Sequence, residues 1–309
     1  MSKTVKTAKS AVRTRRRPMS KDVICFKGIG YPLIFAAAAL CLVPFLIVIG
    51  SSFTSESYII RNGYSIWPGD WSLESYQTIF RSPMAIIRAY GVTIFVTVVG
   101  TVLSVFLNTM AGYVLQRKDF SWRNKFSFYY FFTTLFSGGL MPWYMLCVKY
   151  LHLKDSIWSM ILPGLISVWN ILLVKGFMGG IPYEMTESAK IDGAGDFSIF
   201  LRLIWPLSKP VVATIGLFTA LMYWNDWYNS MLFINNSNLY SLQYQLYKLI
   251  NDARELRRIA EESGIVVDSV PIESMKMALT VVVTGPIVLL YPFIQKYFVK
   301  GLTLGAVKG

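Results

Sequence analysis

The chain of 309 residues carries a net charge of +13, 54% hydrophobic and 15% charged residues, and a mean hydropathy of +0.47. Such a composition excludes an ordinary soluble enzyme and points to an all-α polytopic membrane protein. The positive charge does not indicate nucleic acid as a partner. The basic residues collect in the N-terminal tail and at the ends of apolar runs, where they set topology, rather than on one aromatic-laced face. Cys25, Cys41 and Cys147 are odd in number and scattered, and His152 is the only histidine, so neither a disulfide framework nor a metal site is indicated. With no phosphate-cradling glycine loop and no Gly-x-Ser-x-Gly elbow, the chain is expected to bind no cofactor and to carry no energy-coupling chemistry of its own.

Residues 1–27 hold nine Lys or Arg against Asp22 alone and lack apolar periodicity, which predicts a basic disordered tail. Gly28 to Ser55 is then free of charge for 28 residues, longer than the apolar part of a signal peptide, so an uncleaved first span is expected over 30–52. Residues 56–88 mix charges with Trp67, Trp71 and Tyr76, as an external loop with interfacial aromatics does. Further apolar runs near the length that crosses the hydrocarbon predict spans at 89–116, 126–148, 156–174, 210–234 and 277–295. Between the last two lies a polar external loop, 235–274, within which Asn251 to Glu262 has a helical pattern of mixed charge and reads as a solvated helix. Six spans within 28–309 place both termini on one side. With that side cytoplasmic, 20 Lys and Arg face inward and 10 outward, as the positive-inside rule requires.

The polar, glycine-punctuated stretch 182–206 then faces the cytoplasm between the fourth and fifth spans. Pro182 suits a first helical turn, and Glu184 and Glu187 lie near the positive N-terminal end of a short helix over 182–192. Gly193 and Gly195 break it, and Asp196 is placed to cap a second short helix running to about Leu203. A helix, a tight turn and a helix held at a membrane edge form a docking surface. Glu187 has a second reading, as an i, i+3 partner of Lys190, and Gly193 is required as a helix stop whatever the function.

Glu187-Ser188-Ala189, three residues, Gly193, nine residues, and Leu203-Ile204-Trp205-Pro206 resemble the EAA loop of ABC importer permeases, whose pattern is Glu-Ala-Ala, three, Gly, nine, Ile-x-Leu-Pro. Ser188, Leu203 and Trp205 depart conservatively from it. Ile191-Asp192-Gly193-Ala194, Trp224-Asn225-Asp226 and the C-terminal run from Gln295 to Gly309 further resemble carbohydrate-uptake permeases of the MalG type, within which the long basic tail and the 235–274 loop look most like the branch for complex oligosaccharides. The resemblance implies a permease subunit of an importer in a bacterial plasma membrane. Its implied partners are a second homologous permease, two ATPases that bind the ATP and Mg, an extracellular or lipid-anchored sugar-binding protein, and membrane lipid. It also implies that Glu184, Glu187, Ser188, Ala189, Asp192, Gly193, Ala194 and Pro206 form the ATPase-coupling region, and that the C-terminal Val307, Lys308 and Gly309 reach the ATPase interface.

Asn225 and Asp226 interrupt the fifth span, and an ionisable group within a span is a functional hypothesis by default. Trp224, Trp227 and Tyr228 beside them offer flat faces on which sugar rings stack. The competing reading, that Asp226 caps a break and the aromatics form an interfacial belt, is equally physical. Trp169 and Asn170 are weaker candidates of the same kind. A permease for a non-sugar solute, and a secondary transporter, stay open as alternatives; the second predicts carboxylates in several spans or an inverted repeat, whereas Asp226 stands alone.

Overall fold

The computed structural model describes residues 21–81, 83–263 and 271–306, which are mostly helical, with turns and one isolated antiparallel bridge, Thr54 to Trp71. The helices in order are α1 (Lys21–Ser52), α2 (Glu56–Asn62), α3 (Glu74–Ile79), α4 (Pro83–Gln116), α5 (Arg123–Leu135), α6 (Leu140–Met145), α7 (Trp158–Ile161), α8 (Val168–Met178), α9 (Glu184–Ile191), α10 (Asp196–Ile199), α11 (Trp205–Leu207), α12 (Lys209–Trp224), α13 (Tyr228–Phe233), α14 (Leu242–Glu262) and α15 (Ile272–Ala306). A π-helical turn, Phe200–Ile204, joins α10 to α11, and another, Leu146–Tyr150, extends α6. The expectations for residues 1–20 and for Val307, Lys308 and Gly309 lie outside the described residues.

Three helical segments are long and apolar enough to cross a membrane: Lys27–Ser52, Pro83–Gln116 and Ile272–Leu289. Three further pairs reach that length only when taken together, each with a bend at its break: α5 with α6 (115°), α7 with α8 (46°), and Asp196–Leu207 with α12 (84°). Where apolarity alone predicts unbroken spans over 126–148 and 156–174, the backbone therefore turns. In the first it does so at Ser137-Gly138-Gly139, where Gly139 takes φ +86°, a left-handed conformation that favours glycine. In the second, Pro163 and Gly164 end one helix and Ser167 caps the next, accepting from the Asn170 N–H.

Helices α1 and α14 start well before their expected positions. Helix α1 begins at Lys21, inside the stretch assigned to the disordered tail, because Val23 to Phe26 extend the apolar run. Helix α14 begins at Leu242 rather than Asn251. Leu242, Leu246, Ala253 and Ala260 recur at helical spacing and are buried, the first three beside Ile86, Ile272 and Met275, so the helix packs across α4 and α15. Its outer face carries the expected charge pairs, Arg258 with Glu255 and Glu262 at 2.6 Å each.

A second core cluster positions the 182–206 region. Phe200 and Ile204 of the π-turn, with Ile199, are fully buried against Val105 and Tyr113 of α4, Val174 and Met178 of α8, and Val211 and Ile215 of α12. The segment entering α12 is thus wedged between three long helices.

Candidate functional site

Helix α9 ends in a Schellman turn. The Ala194 N–H donates to the Ala189 carbonyl at 2.9 Å and the Gly193 N–H to the Lys190 carbonyl at 3.0 Å, with Gly193 at φ +80°. Ala189 and Ala194 pack together on the buried cluster beneath, and Thr186 is buried beside them. The remaining coupling candidates, Glu184, Glu187, Ser188, Asp192 and Gly193, are exposed, and Ile191 is 86% exposed, an apolar side chain standing among acids. Pro206 is exposed within α11, just before the 84° turn into α12. Asp196 is the first residue of α10 rather than its cap, which is Gly195; its carboxylate is engaged elsewhere.

That engagement is an ion cluster at the end of α4. Arg117 pairs with Asp119 and, at 2.8 Å, with Asp196, while Lys190 reaches Asp119 at 2.6 Å and Asp196 at 3.8 Å. The guanidinium also lies over the Tyr113 ring at 5.7 Å, and Lys118 over that of Tyr183 at 5.6 Å. Arg117 and then Lys190 hold the Asp119 carboxyl well below the usual carboxylate range, and Asp119 raises Lys190 in return. Lys190 thus turns to Asp119, leaving Glu187 outward-facing. Both helices of the 182–206 region are thereby tied by ion pairs to the C-terminal end of α4.

The break 225–227 divides the other candidates. Trp224 is buried, donating its indole N–H to the Val283 carbonyl at 3.4 Å and packing near Tyr90. Asp226 stands one residue before Trp227, the cap of α13, and braces the first turn, its carboxylate accepting from the Asn229 N–H at 3.0 Å and the Asn229 side-chain amide at 2.7 Å. Asn225, Trp227 and Tyr228 are exposed. Trp227 stacks on Tyr247 of α14 at 4.9 Å and meets Tyr228 edge-on at 5.9 Å. Asn225 and Trp227 border two adjoining clefts, one of about 360 Å³ towards Pro163 and Tyr228 and one of about 560 Å³ towards Gln243, Tyr247 and Lys276. Of the weaker pair, Trp169 is 70% exposed and Asn170 is buried, donating to the Thr219 hydroxyl at 3.2 Å.

An all-helical chain with membrane-length apolar helices, aromatic clefts at one end and a braced helix-turn-helix at the other has the architecture of a membrane transport permease. The chain belongs to the family of binding-protein-dependent transport system inner membrane components, whose model matches residues 109–304. It is 40% identical over 280 residues to the polygalacturonan/rhamnogalacturonan transport system permease protein YtcP of Bacillus subtilis, covering 91% of this chain and 96% of that one. It is 38% identical over 273 residues to protein LplC of the same organism, covering 88% and 90%. The crystal structure of a bacterial ABC transporter involved in the import of the acidic polysaccharide alginate contains a chain that superposes with a TM-score of 0.74 at 26% identity, covering 91% of this chain and 99% of that one. The resemblance carried by residues 187–206 is therefore borne out: the chain is an ABC permease of a bacterial inner membrane.

Two parts of the site escaped the sequence. Arg117 and Asp119 read only as a basic turn, although an acid among four basic residues in 117–125 was a signal that one of them had a partner to hold. Tyr247, which completes the aromatic surface with Trp227, lies in the half of α14 that was read as loop.

Proposed function

We propose that the chain is one of two related permease subunits of an ATP-driven importer that takes up a sugar, an oligosaccharide in particular, released by an external binding protein. It spans the membrane six times, the three bent pairs each counting as one span, with both termini in the cytoplasm. Two ATPases dock on the cytoplasmic loops, and α9 occupies a cleft of one of them. Glu187 is the polar contact, Gly193 fixes the turn, and Val307, Lys308 and Gly309 extend to the same interface. The cargo reading is supported by sugar-polymer transport in one relative, the polygalacturonan/rhamnogalacturonan permease, and in the alginate transporter, and by Asn225, Trp227 and Tyr228 facing open clefts. In this reading Trp224 and Asp226 hold the break while Trp227 and Tyr228 meet the sugar.

The observation that carries the proposal is the exposed face of α9, Glu184 to Asp192, standing on an ion-braced base. A rigid element so mounted transmits a rigid-body displacement. In proteoliposomes of the whole transporter, Glu187→Lys and Gly193→Val should each lower ATP-driven uptake at least about tenfold, the size expected when a charge-assisted contact is lost or a left-handed turn is strained. Assembly in the membrane should be preserved. In the same assay Trp227→Ala should raise the KM for oligosaccharide and leave ATP hydrolysis without sugar unchanged. Wild-type uptake by both α9 variants would remove the coupling assignment, and an unmoved KM would remove Trp227 from the pathway.

A further inference from the structure

A cleft of about 480 Å³ opens where α4 and α8 end and α5 begins, on the same face of the molecule as α9. This volume is within the ~300–1,000 Å³ common to small-molecule sites. Arg123, Lys175, Gln116 and Asn124 line it, with Leu115 and Leu172 on its apolar side. Both cations are half-buried and have only neutral partners among the described residues: Lys175 donates to the Ser127 hydroxyl at 2.8 Å, and Arg123 to the Arg117 carbonyl at 3.4 Å. The ends of α4 and α8 contribute about −0.5 each and the start of α5 about +0.5, which leaves the cleft at about +1.5 against the two whole side-chain charges. The electrostatics call for an anion.

Gly176 adds a second, independent observation. It lies inside α8, where glycine costs about 1 kcal/mol relative to alanine. A Cβ at this position would meet nothing within 4 Å, so no packing in this chain requires the glycine. It borders the cleft, and its missing side chain keeps the cleft open.

The depth fixes the kind of anion. The cleft lies at the end of α4, a helix long enough to cross the membrane, and Trp122 with Lys125 stacked over it at 4.4 Å marks the interface beside it. Towards the hydrocarbon, the flanking α5 exposes Phe128, Phe131 and Phe132, which acyl chains can cover. We propose that this cleft binds the phosphate of an anionic phospholipid, with Arg123 and Lys175 holding the headgroup and Gly176 giving it room. Anionic lipid bound here ties the start of α5 to the end of α8, beside the Arg117 cluster on which α9 rests. The proposal does not depend on the cargo.

The test uses the purified whole transporter in detergent, titrated with phosphatidylglycerol, with phosphatidylcholine of the same acyl chains, and with inorganic phosphate. Binding is read by native mass spectrometry and thermal shift. Phosphatidylglycerol should bind and raise the Tm, phosphatidylcholine should do neither, and Arg123→Gln with Lys175→Gln should weaken phosphatidylglycerol about thirtyfold, as loss of two interfacial cations predicts. Arg123→Lys with Lys175→Arg should restore most of it. Gly176→Leu, which favours the helix and leaves both charges in place, should also weaken it by filling the cleft. Wild-type affinity in the Gln pair and in Gly176→Leu would overturn the site. Stabilisation by inorganic phosphate equal to that by phosphatidylglycerol would overturn the lipid assignment.

Discussion

Asn108 shows how single residues make a bent span tolerable. It is 0% exposed in the middle of α4, and its side chain serves the break between α7 and α8: its oxygen accepts from the Ser167 N–H at 2.9 Å, and its nitrogen donates to the Leu165 carbonyl at 2.8 Å. At membrane depth no water replaces a missing partner, so irregular backbone survives only where protein satisfies it. Asn108→Leu should cost about 2–6 kcal/mol, because two backbone groups each lose a partner worth about 1–3 kcal/mol. Thermal unfolding of the purified transporter measures this, and an unchanged Tm would mean the break is satisfied by other means. Glu56 plays a comparable part outside the bundle. It is buried, and it accepts from the backbone of Glu273 and Ser274 at 3.0 and 2.8 Å, capping α15 across a separation of over two hundred residues. In sequence both residues look ordinary, one a lone amide in an apolar run and the other a loop acid, because their partners lie far along the chain.

At the scale of elements, α10 is anchored by Ile199 and the buried π-turn that follows it, whereas α9 buries only Thr186 and part of Ala189 and relies further on the Arg117, Asp119, Lys190 and Asp196 cluster. These side chains are partly exposed, so solvent screening keeps the cluster's contribution well below the sum of its formal charges. Asp119→Asn should therefore speed amide exchange in residues 184–191 about fivefold at neutral pH. The sign with pH follows from the shifts. The folded Asp119 carboxyl is depressed, so its contribution is complete above the ordinary carboxylate pKa of about 3.9 and is lost as pH falls through the depressed value. Lys190 is raised, so its contribution holds below the ordinary lysine range and is lost only in strong alkali. Exchange in α9 should accordingly be insensitive to pH, after correction for the intrinsic rate, between about pH 5 and 9. Acceleration within that window would assign the bracing to other groups. The sequence foretold the helix, the Gly193 stop and the second helix, because these rest on local rules of capping and glycine. It did not foretell the bracing, since a pairing of Asp119 with Lys190 is a tertiary fact. The break at Ser137-Gly138-Gly139 was hidden for a different reason: hydropathy counts apolar residues and is blind to a left-handed glycine among them.

Over the whole molecule, α4 is the ruler. Its 34 residues extend about 50 Å, more than the ~30 Å of the hydrocarbon core, so it is long enough for its two ends to reach opposite aqueous phases. The N-terminal end holds the 235–262 region, through Arg88 to Asn238 at 2.6 Å and the Leu242 N–H to the Thr93 hydroxyl at 2.8 Å. The C-terminal end holds α9 and α10 through the ion cluster. In the proposed six-span arrangement α9 and α14 face opposite sides, with α9 on the cytoplasmic side that the charge asymmetry of the sequence favours. With Cys25, Cys41 and Cys147 replaced by alanine, single substitutions Glu187→Cys and Arg258→Cys place exposed thiols at the two ends. A membrane-impermeant maleimide should label Arg258→Cys in right-side-out vesicles and Glu187→Cys only in inverted ones. Labelling of both from one side would contradict α4 as a full span, and the reverse pattern would keep the span but move the docking surface to the outside, away from any ATPase.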